Sequence, residues 1–345
     1  MHELFDHLML VGFSSFALAA LVFAGALFFE DVWRAYSRKG RETSRHVVRF
    51  GGAFAMVAFL VSVFGDARLE VTTDVVWFLA GASALLLAGL LDDVRNVSWK
   101  WQLLLQAGVV SGVVFLGGTA VSDVPNFFGG RWELLGSWEW LGVALAIGWF
   151  LVIMNALNWI DGIDGLAPGM IAVAGAALGM LAIRADVMQP PVAIMSFVLA
   201  GSFLALWLFN MAPARIFLGT AGVYAAGFAI AYLSLVAGAK MATVFLVLSI
   251  PILDMARVVL RRIIEKRSLT SPDRNHIHHV LLRFGYSARS VSGTLLVLCI
   301  VCAGVTIVFE TFGKLFAIFC IAIVFLIFSF FEYKKYVKEK NISNV

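Results

Sequence analysis

The sequence predicts an all-α, polytopic membrane protein, and three observations carry that reading. Hydrophobic residues fill 61% of the 345 positions, charged residues only 14%, and the mean hydropathy is +0.92, far from the composition of a water-soluble domain. The apolar residues gather into stretches of roughly 20, the length that crosses a hydrocarbon core at about 1.5 Å per residue. The basic residues fall mostly between alternate stretches, as the positive-inside rule requires. The formal net charge of +4 is too small to indicate a nucleic-acid partner, and none is expected.

Eleven spans are expected, at about 8–29, 48–65, 73–91, 101–118, 138–157, 163–183, 191–209, 217–237, 240–260, 292–309 and 314–332. The first run begins MHELFDHLML without the positive n-region of a cleaved signal peptide, and Arg34, Arg38, Lys39, Arg41, Arg45 and Arg49 follow it. It is therefore expected to stay as a helix with its N-terminus outside. Eleven crossings then put the C-terminus in the cytoplasm. With that topology 21 of the 26 Lys and Arg lie inside, leaving only Arg68, Arg131, Arg184, Lys240 and Lys314 outside. The longest hydrophilic stretches, about 30–47, 119–137 and 261–291, leave no room for a soluble domain. Residues 1–345 read as one membrane domain with inner loops at about 30–47, 92–100, 155–163, 210–217 and 261–291. On the sixth span, Gly165 with Gly169 and Gly175 with Gly179 form two small-xxx-small pairs that permit close helix approach. Cys299, Cys302 and Cys320 sit in apolar runs and read as small hydrophobes, not as a disulfide or zinc framework.

The polar residues of interest cluster at the inner helix ends, where carboxylates are costly unless they face a wet cavity, a metal or a cation. Asp92 and Asp93 end the third span in LLDDVRNVSWKWQ; adjacent carboxylates repel unless a cation or proton lies between them, although a solvated helix end also explains such a pair. Asn155, Asn158, Asp161 and Asp164 share the segment NALNWIDGIDG between the fifth and sixth spans. A single DG would mean only a turn, whereas a repeated DG inside apolar sequence leaves room for a bulky ligand that the Asn amides and carboxylates would hold. The last inner loop, RRIIEKRSLTSPDRNHIHH, places Arg261, Arg262, Lys266, Arg267 and Arg274 ahead of His276, His278 and His279. Its basic residues could simply obey the inside rule or touch anionic membrane lipids. The imidazoles add groups that bond phosphate or move a proton near neutral pH, and the basic density favours an anionic ligand over zinc. Carboxylates beside a basic, histidine-bearing loop suggest Mg²⁺ and phosphate-containing substrates: a lipid phosphate arriving laterally and a soluble nucleotide compound arriving from the cytoplasm.

With LLDD at Leu90–Asp93, NALNWIDGIDGLAPG at Asn155–Gly169, NMAPARIFLG at Asn210–Gly219 and RSLTSPDRNHIHH at Arg267–His279, the chain resembles, nearly end to end, the polyprenyl-phosphate N-acetylhexosamine-1-phosphate transferases of glycosyltransferase family 4. HIHH is similar to the branch that handles small UDP-N-acetylhexosamines. The resemblance implies ten or eleven spans in a bacterial inner membrane with a cytoplasmic catalytic face. It implies transfer of a sugar 1-phosphate from a UDP-N-acetylhexosamine to undecaprenyl phosphate, release of UMP, and a first step of cell-envelope polysaccharide synthesis. By motif, Asp92 and Asp93 take the part of lipid-phosphate activation and cation contact, and Asp161 that of the metal or diphosphate-site carboxylate. Asn155, Asn158, Asp164 and Asn210 would shape the nucleotide-sugar pocket, and Arg267, Arg274, His276, His278 and His279 would contact sugar and diphosphate. Mg²⁺, with Mn²⁺ as substitute, would sit on Asp161 and Asp93. Direct attack by the lipid phosphate is favoured over a covalent aspartate adduct, and a homodimer is compatible with the resemblance.

Three positions depart from the family pattern. Thr220 stands where members generally carry Asp, making it a weak candidate at the family's metal position; Gln102 stands where a Lys is usual, with Lys100 nearby; and Val48-Arg49-Phe50 precedes Gly51-Gly52 where a Pro usually precedes the glycines. A hydroxyl attracts Mg²⁺ far less than a carboxylate, so the alternative reading is an inactive relative that scaffolds or regulates glycan assembly. A transporter is disfavoured because the outer helix ends lack comparable polar residues. A CDP-alcohol phosphotransferase is disfavoured because Asp161-Gly162 is not followed by an Ala-Arg pair.

Overall fold

The computed structural model describes residues 2–28, 50–125, 131–134, 136, 138–236, 241–266, 268 and 275–343. It is all-α apart from one short hairpin. In chain order the helices are α1 (His2–Phe28), α2 (Gly51–Phe64), α3 (Thr73–Arg95), α4 (Trp99–Leu116), α5 (Glu139–Ile160), α6 (Leu166–Ala182) and α7 (Pro190–Asn210). They continue with α8 (Gly219–Val236), α9 (Met241–Val247), α10 (Ser249–Ile264), α11 (Ile277–Arg283), α12 (Ala288–Val308) and α13 (Thr311–Ser343). Between α4 and α5, in a stretch expected as loop, β1 (Asp123–Pro125) pairs antiparallel with β2 (Arg131–Glu133), Val124 opposite Trp132.

Seven helices, α1, α3, α4, α5, α7, α8 and α12, are long and apolar enough to cross a membrane, and the bent pair α9 and α10 would make an eighth. The segments expected at 48–65, 163–183 and 314–332 are helical but short as apolar elements, at Gly51–Phe64, Leu166–Ala182 and Thr311–Ile327. The span expected at 240–260 is broken: α9 and α10 meet at 79°. Pro251 lies in the first turn of α10, where its missing N–H costs nothing. The helix then carries Asp254, Arg257, Arg261 and Arg262, of which Asp254 and Arg262 are buried against the rest of the protein.

Helix α8 is the axis of the packing. Its residues from Ala221 to Ser234 are all buried, and α2, α3, α5 and α7 pack against it. Small residues make the approach close. A Cβ on Gly52 would lie 2.3 Å from the Gly222 Cα, and one on Gly89 would lie 2.3 Å from the Ala221 Cα. Backbone thus meets backbone where α2 and α3 cross the start of α8. The amides of Gly51 and Gly52 also donate to the carbonyls of Phe217 and Leu218, at 3.0 and 2.8 Å. On α6 the second glycine pair does what its spacing suggests: Gly175 faces the Ser196 carbonyl and Gly179 the Phe197 ring, both on α7. Phe78, Phe150, Phe228 and Tyr232 stack where α3, α5 and α8 meet, fixing these three helices and therefore the ends from which the polar residues project.

Candidate active site

Asp93 lies one helical turn after Gly89, on the face of α3 that touches α8. The backbone contact at Gly89 brings its carboxylate to the first amides of that helix: Oδ1 accepts from the Thr220 N–H at 2.8 Å and Oδ2 from the Ala221 N–H at 3.0 Å. Asp92 is held as fully. Its Oδ1 accepts from the Val97 amide and from Gln102 Nε2, each at 2.8 Å, and its Oδ2 accepts from the Thr220 hydroxyl at 2.9 Å. Tyr224 fixes Gln102 in turn, its hydroxyl donating to Oε1 at 2.9 Å. Two adjacent carboxylates are thus tolerated through five neutral donors and the positive end of the α8 dipole. Thr220 serves both of them.

Helix α5 ends in the repeated DG turn. Gly165 has φ 79° and caps α6, a conformation that glycine adopts without strain. Its N–H donates to Asn210 Oδ1 at 2.7 Å, Asn210 Nδ2 donates to the Ile216 carbonyl at 2.7 Å, and Asp164 Oδ2 accepts from the Ala214 N–H at 2.9 Å. Asp164 and Asn210 therefore stitch the DG turn to the 211–218 connection. Asn155 donates to Gln106 Oε1 on α4 and to the Leu151 carbonyl, both at 2.8 Å. Asn158 and Asp161, one turn apart, are half-buried, and neither side chain has a hydrogen-bond partner among the described residues. Burial pushes the Asp161 carboxyl up to about 7, and the Asp93 and Asp164 carboxylates push it the same way. The charges of α3 and of the DG turn thus act on one another.

The histidine segment closes onto this turn. His278 is buried, and a Cβ on Gly162 would lie 2.2 Å from its Nε2, so the ring fills the space that the glycine leaves. Neither ring nitrogen of His278 has a hydrogen-bond partner among the described residues. Burial, followed by His279, pushes this imidazole down to about 3, so it is neutral at pH 7. His276 stacks on His278 at 5.8 Å and 8°, and the His279 ring lies 4.2 Å from that of His278. The rings of Trp159 and His276 meet in a T-shaped contact at 5.4 Å, and the Arg262 guanidinium lies 5.4 Å from the Trp159 ring. Arg267 and Arg274 lie outside the described residues, as does the basic stretch from Arg34 to Arg49.

Residues 75–238 match the profile of glycosyl transferase family 4. The chain is 31% identical over 247 residues to a probable undecaprenyl-phosphate N-acetylglucosaminyl 1-phosphate transferase of Bacillus subtilis (strain 168), covering 70% of this chain and 67% of the relative. The chain belongs to glycosyl transferase family 4. Other family 4 relatives include the undecaprenyl-phosphate alpha-N-acetylglucosaminyl 1-phosphate transferase of Escherichia coli (strain K12), 30% identical with 68% of this chain and 65% of the relative aligned. The decaprenyl-phosphate N-acetylglucosaminephosphotransferase of Mycobacterium leprae (strain TN) is 29% identical over 73% of this chain and 71% of its own length.

Within this family 4 chain the described residues hold no group of three His, Cys, Asp or Glu arranged to ligate a metal. The donor set nonetheless fits a hard divalent cation. Asp161 is a half-buried carboxylate with no hydrogen-bond partner among the described residues, and its pKa is raised by burial and by Asp93, whose repulsion a cation would relieve. Mg²⁺ commonly needs only one or two carboxylates, completing its shell with waters and substrate phosphates. Sequence reading did not single out Asp254, which is 1% exposed and grips both Arg257 and His276. Its signal was an ionisable residue inside SIPILDMARVV, which at membrane depth is a site candidate by default.

Proposed function

We propose that this family 4 chain transfers an N-acetylhexosamine 1-phosphate from a UDP-sugar to undecaprenyl phosphate, releasing UMP, as a first membrane step of envelope polysaccharide synthesis. The observation that carries the reading is Asp161: an unpartnered, half-buried carboxylate, coupled to Asp93 and flanked by His278 on Gly162. These are the groups that a diphosphate and its counter-ion would satisfy. The relatives, which transfer N-acetylglucosamine 1-phosphate to undecaprenyl or decaprenyl phosphate by name, support the substrate class.

The lipid phosphate needs no strong base, because a phosphate monoester with a second pKa near ~6 is mostly dianionic at pH 7. Its oxygen attacks the sugar-bearing phosphorus directly. That phosphorus–oxygen bond forms as the bond to the bridging oxygen breaks, and UMP leaves with the bridging oxygen. Asp92 and Asp93 hold the end of α8 and the shape of the pocket through their hydrogen bonds, and each Asp93 oxygen, with one donor, keeps a lone pair for a cation. Asp161, with Asp93, would hold Mg²⁺ or Mn²⁺, which supplies charge neutralisation between the phosphates. Asn158 faces the nucleotide sugar, and His276, His278 and His279 contact the sugar and diphosphate; Arg267 and Arg274 are proposed as further contacts from their place in the sequence alone. The 21 inner against 5 outer basic residues support eleven crossings of one domain in a bacterial inner membrane, N-terminus outside and catalytic face cytoplasmic.

The second reading, an inactive scaffold or regulator, draws on Thr220, whose hydroxyl supplies no negative charge and is spent on Asp92. One experiment separates the two. Purified protein with undecaprenyl phosphate and a panel of UDP-N-acetylhexosamines should release UMP only with Mg²⁺ or Mn²⁺. Silence across the panel, with release restored by Thr220→Asp, would establish the inactive relative.

A further inference from the structure

Asp254 is the most completely committed carboxylate outside the acidic pair. Its Oδ1 accepts from Arg257 Nη2 at 2.8 Å, from Arg257 Nε at 3.3 Å and from the Ile277 amide at 2.9 Å, while Oδ2 lies 2.8 Å from His276 Nδ1. Arg257 also donates to the Asn275 carbonyl. Asp254 thus fixes the residue after His276 and the imidazole itself, while its partner Arg257 fixes the residue before. With Arg257 on one oxygen, the carboxylate acts as an acceptor, so the hydrogen in the Oδ2 contact belongs to Nδ1. His276 Nε2 then carries the lone pair and has no hydrogen-bond partner among the described residues. The ring lies parallel to His278 and T-shaped to Trp159, two residues before Asp161. Other charged or titratable groups nearby among the described residues include Arg262 on α10, and His279 and Arg283 on α11.

We propose that Asp254 is a positioning residue for the transfer. Through Nδ1 it sets the tautomer and the direction of His276, so that Nε2 is the nitrogen presented to the phosphate-bearing ligand. The arrangement follows the logic of buried carboxylate and histidine pairs in hydrolases, where an amide in place of the carboxylate leaves the geometry but selects the wrong tautomer. The inference rests on the transferase reading for its chemical consequence and on the structure alone for its tautomer.

The test therefore has two arms. In protein labelled with ¹⁵N-histidine, six rings report, and His276→Ala identifies the signal of interest. The proposal predicts an Nδ1–H tautomer for His276 that Asp254→Asn converts to Nε2–H; an Nε2–H ring in the parent protein, or no change in the variant, would overturn it. In the UMP-release assay, Asp254→Asn should lower kcat by roughly a hundredfold or more with the donor KM within about threefold, and should add nothing to His276→Ala. If Asp254 merely caps α11, the variant lowers the melting temperature, kcat per folded molecule stays near the parent value, and losses add to those of His276→Ala. Should Asp254→Asn fail to fold, Asp254→Glu keeps the acceptor but shifts the ring, and must retain the Nδ1–H tautomer with reduced kcat. A parent protein that releases no UMP rejects the transferase reading, while the NMR arm still decides the tautomer.

Discussion

Gly162→Ala is the sharpest steric test of the site. The added Cβ would stand 2.2 Å from His278 Nε2, with Cε1 at 3.0 Å and Cδ2 at 3.1 Å, so the whole imidazole edge is in the way. To restore ordinary contact the ring must retreat by about 1 Å. It has nowhere to go, since His276 stacks on it, His279 crowds it and the side chain is 1% exposed. The backbone at 162 is not in the left-handed region, so alanine itself introduces no strain and the effect isolates the collision. Overpacking of this size costs about 1–3 kcal/mol, and a misplacement of about 1 Å among catalytic groups costs roughly a hundredfold in rate. Thermal melting in detergent and UMP release at saturating donor measure the two effects separately. The double variant Gly162→Ala with His278→Ala should recover the melting temperature without recovering turnover. If Gly162→Ala alone melts and turns over like the parent protein, the packing of the histidine segment on the DG turn is wrong.

Gly89→Ala forces a Cβ to 2.3 Å from the Ala221 Cα, where only backbone can yield, so it should destabilise at the upper end of the ~1–3 kcal/mol range and uncouple Asp93 from α8. Asn210→Ala strips the Gly165 amide and the Ile216 carbonyl of their partner and should cost about 1–3 kcal/mol in chemical denaturation. Asp161, raised to about 7 by burial first and neighbouring carboxylates second, binds more protons folded than unfolded between about pH 4 and 7. Without divalent cation, stability should therefore fall as pH rises through that window, and Asp161→Asn or added Mg²⁺ should flatten the slope; a slope unchanged by both contradicts the assignment. Reporter fusions near Arg131 and near Arg274 should read opposite sides of the membrane, and the same side for both would overturn the orientation.

Apolar run length located the helices because each run must bury or face lipid along its whole length, and it did so for α3, α5, α7 and α8. It did not reveal the bend at Leu248, since hydropathy stays high through the break. Because the stretch was read as an ordinary crossing, Asp254 passed as an incidental residue. Asp92, Asp93 and Asp161 stood out as a group because ionisable residues are scarce at membrane level, and Thr220 because the family resemblance places an Asp there. Their division of labour was not. That Asp93 caps α8 and Asp161 stays open depends on Gly89 touching Ala221, a tertiary contact that no local pattern encodes. Asp164 and Asn210 show the same limit. An Asn or Asp beside a glycine turn serves equally to bind a ligand or to tie two turns together, and only the positions of Ala214 and Ile216 reveal the second use. His278 could be found by motif, but its fit against Gly162 could not.

The central claim is that Asp93, Asp161 and the histidine segment form one centre acting on a phosphate at the membrane. Its most direct measurement is the appearance of labelled sugar phosphate in the lipid fraction of vesicles containing undecaprenyl phosphate, the protein, Mg²⁺ and a labelled UDP-N-acetylhexosamine. Label should enter the lipid with the parent protein and stay aqueous with Asp161→Asn of equal melting temperature. Equal transfer by both proteins would remove Asp161 from the chemistry and the account with it.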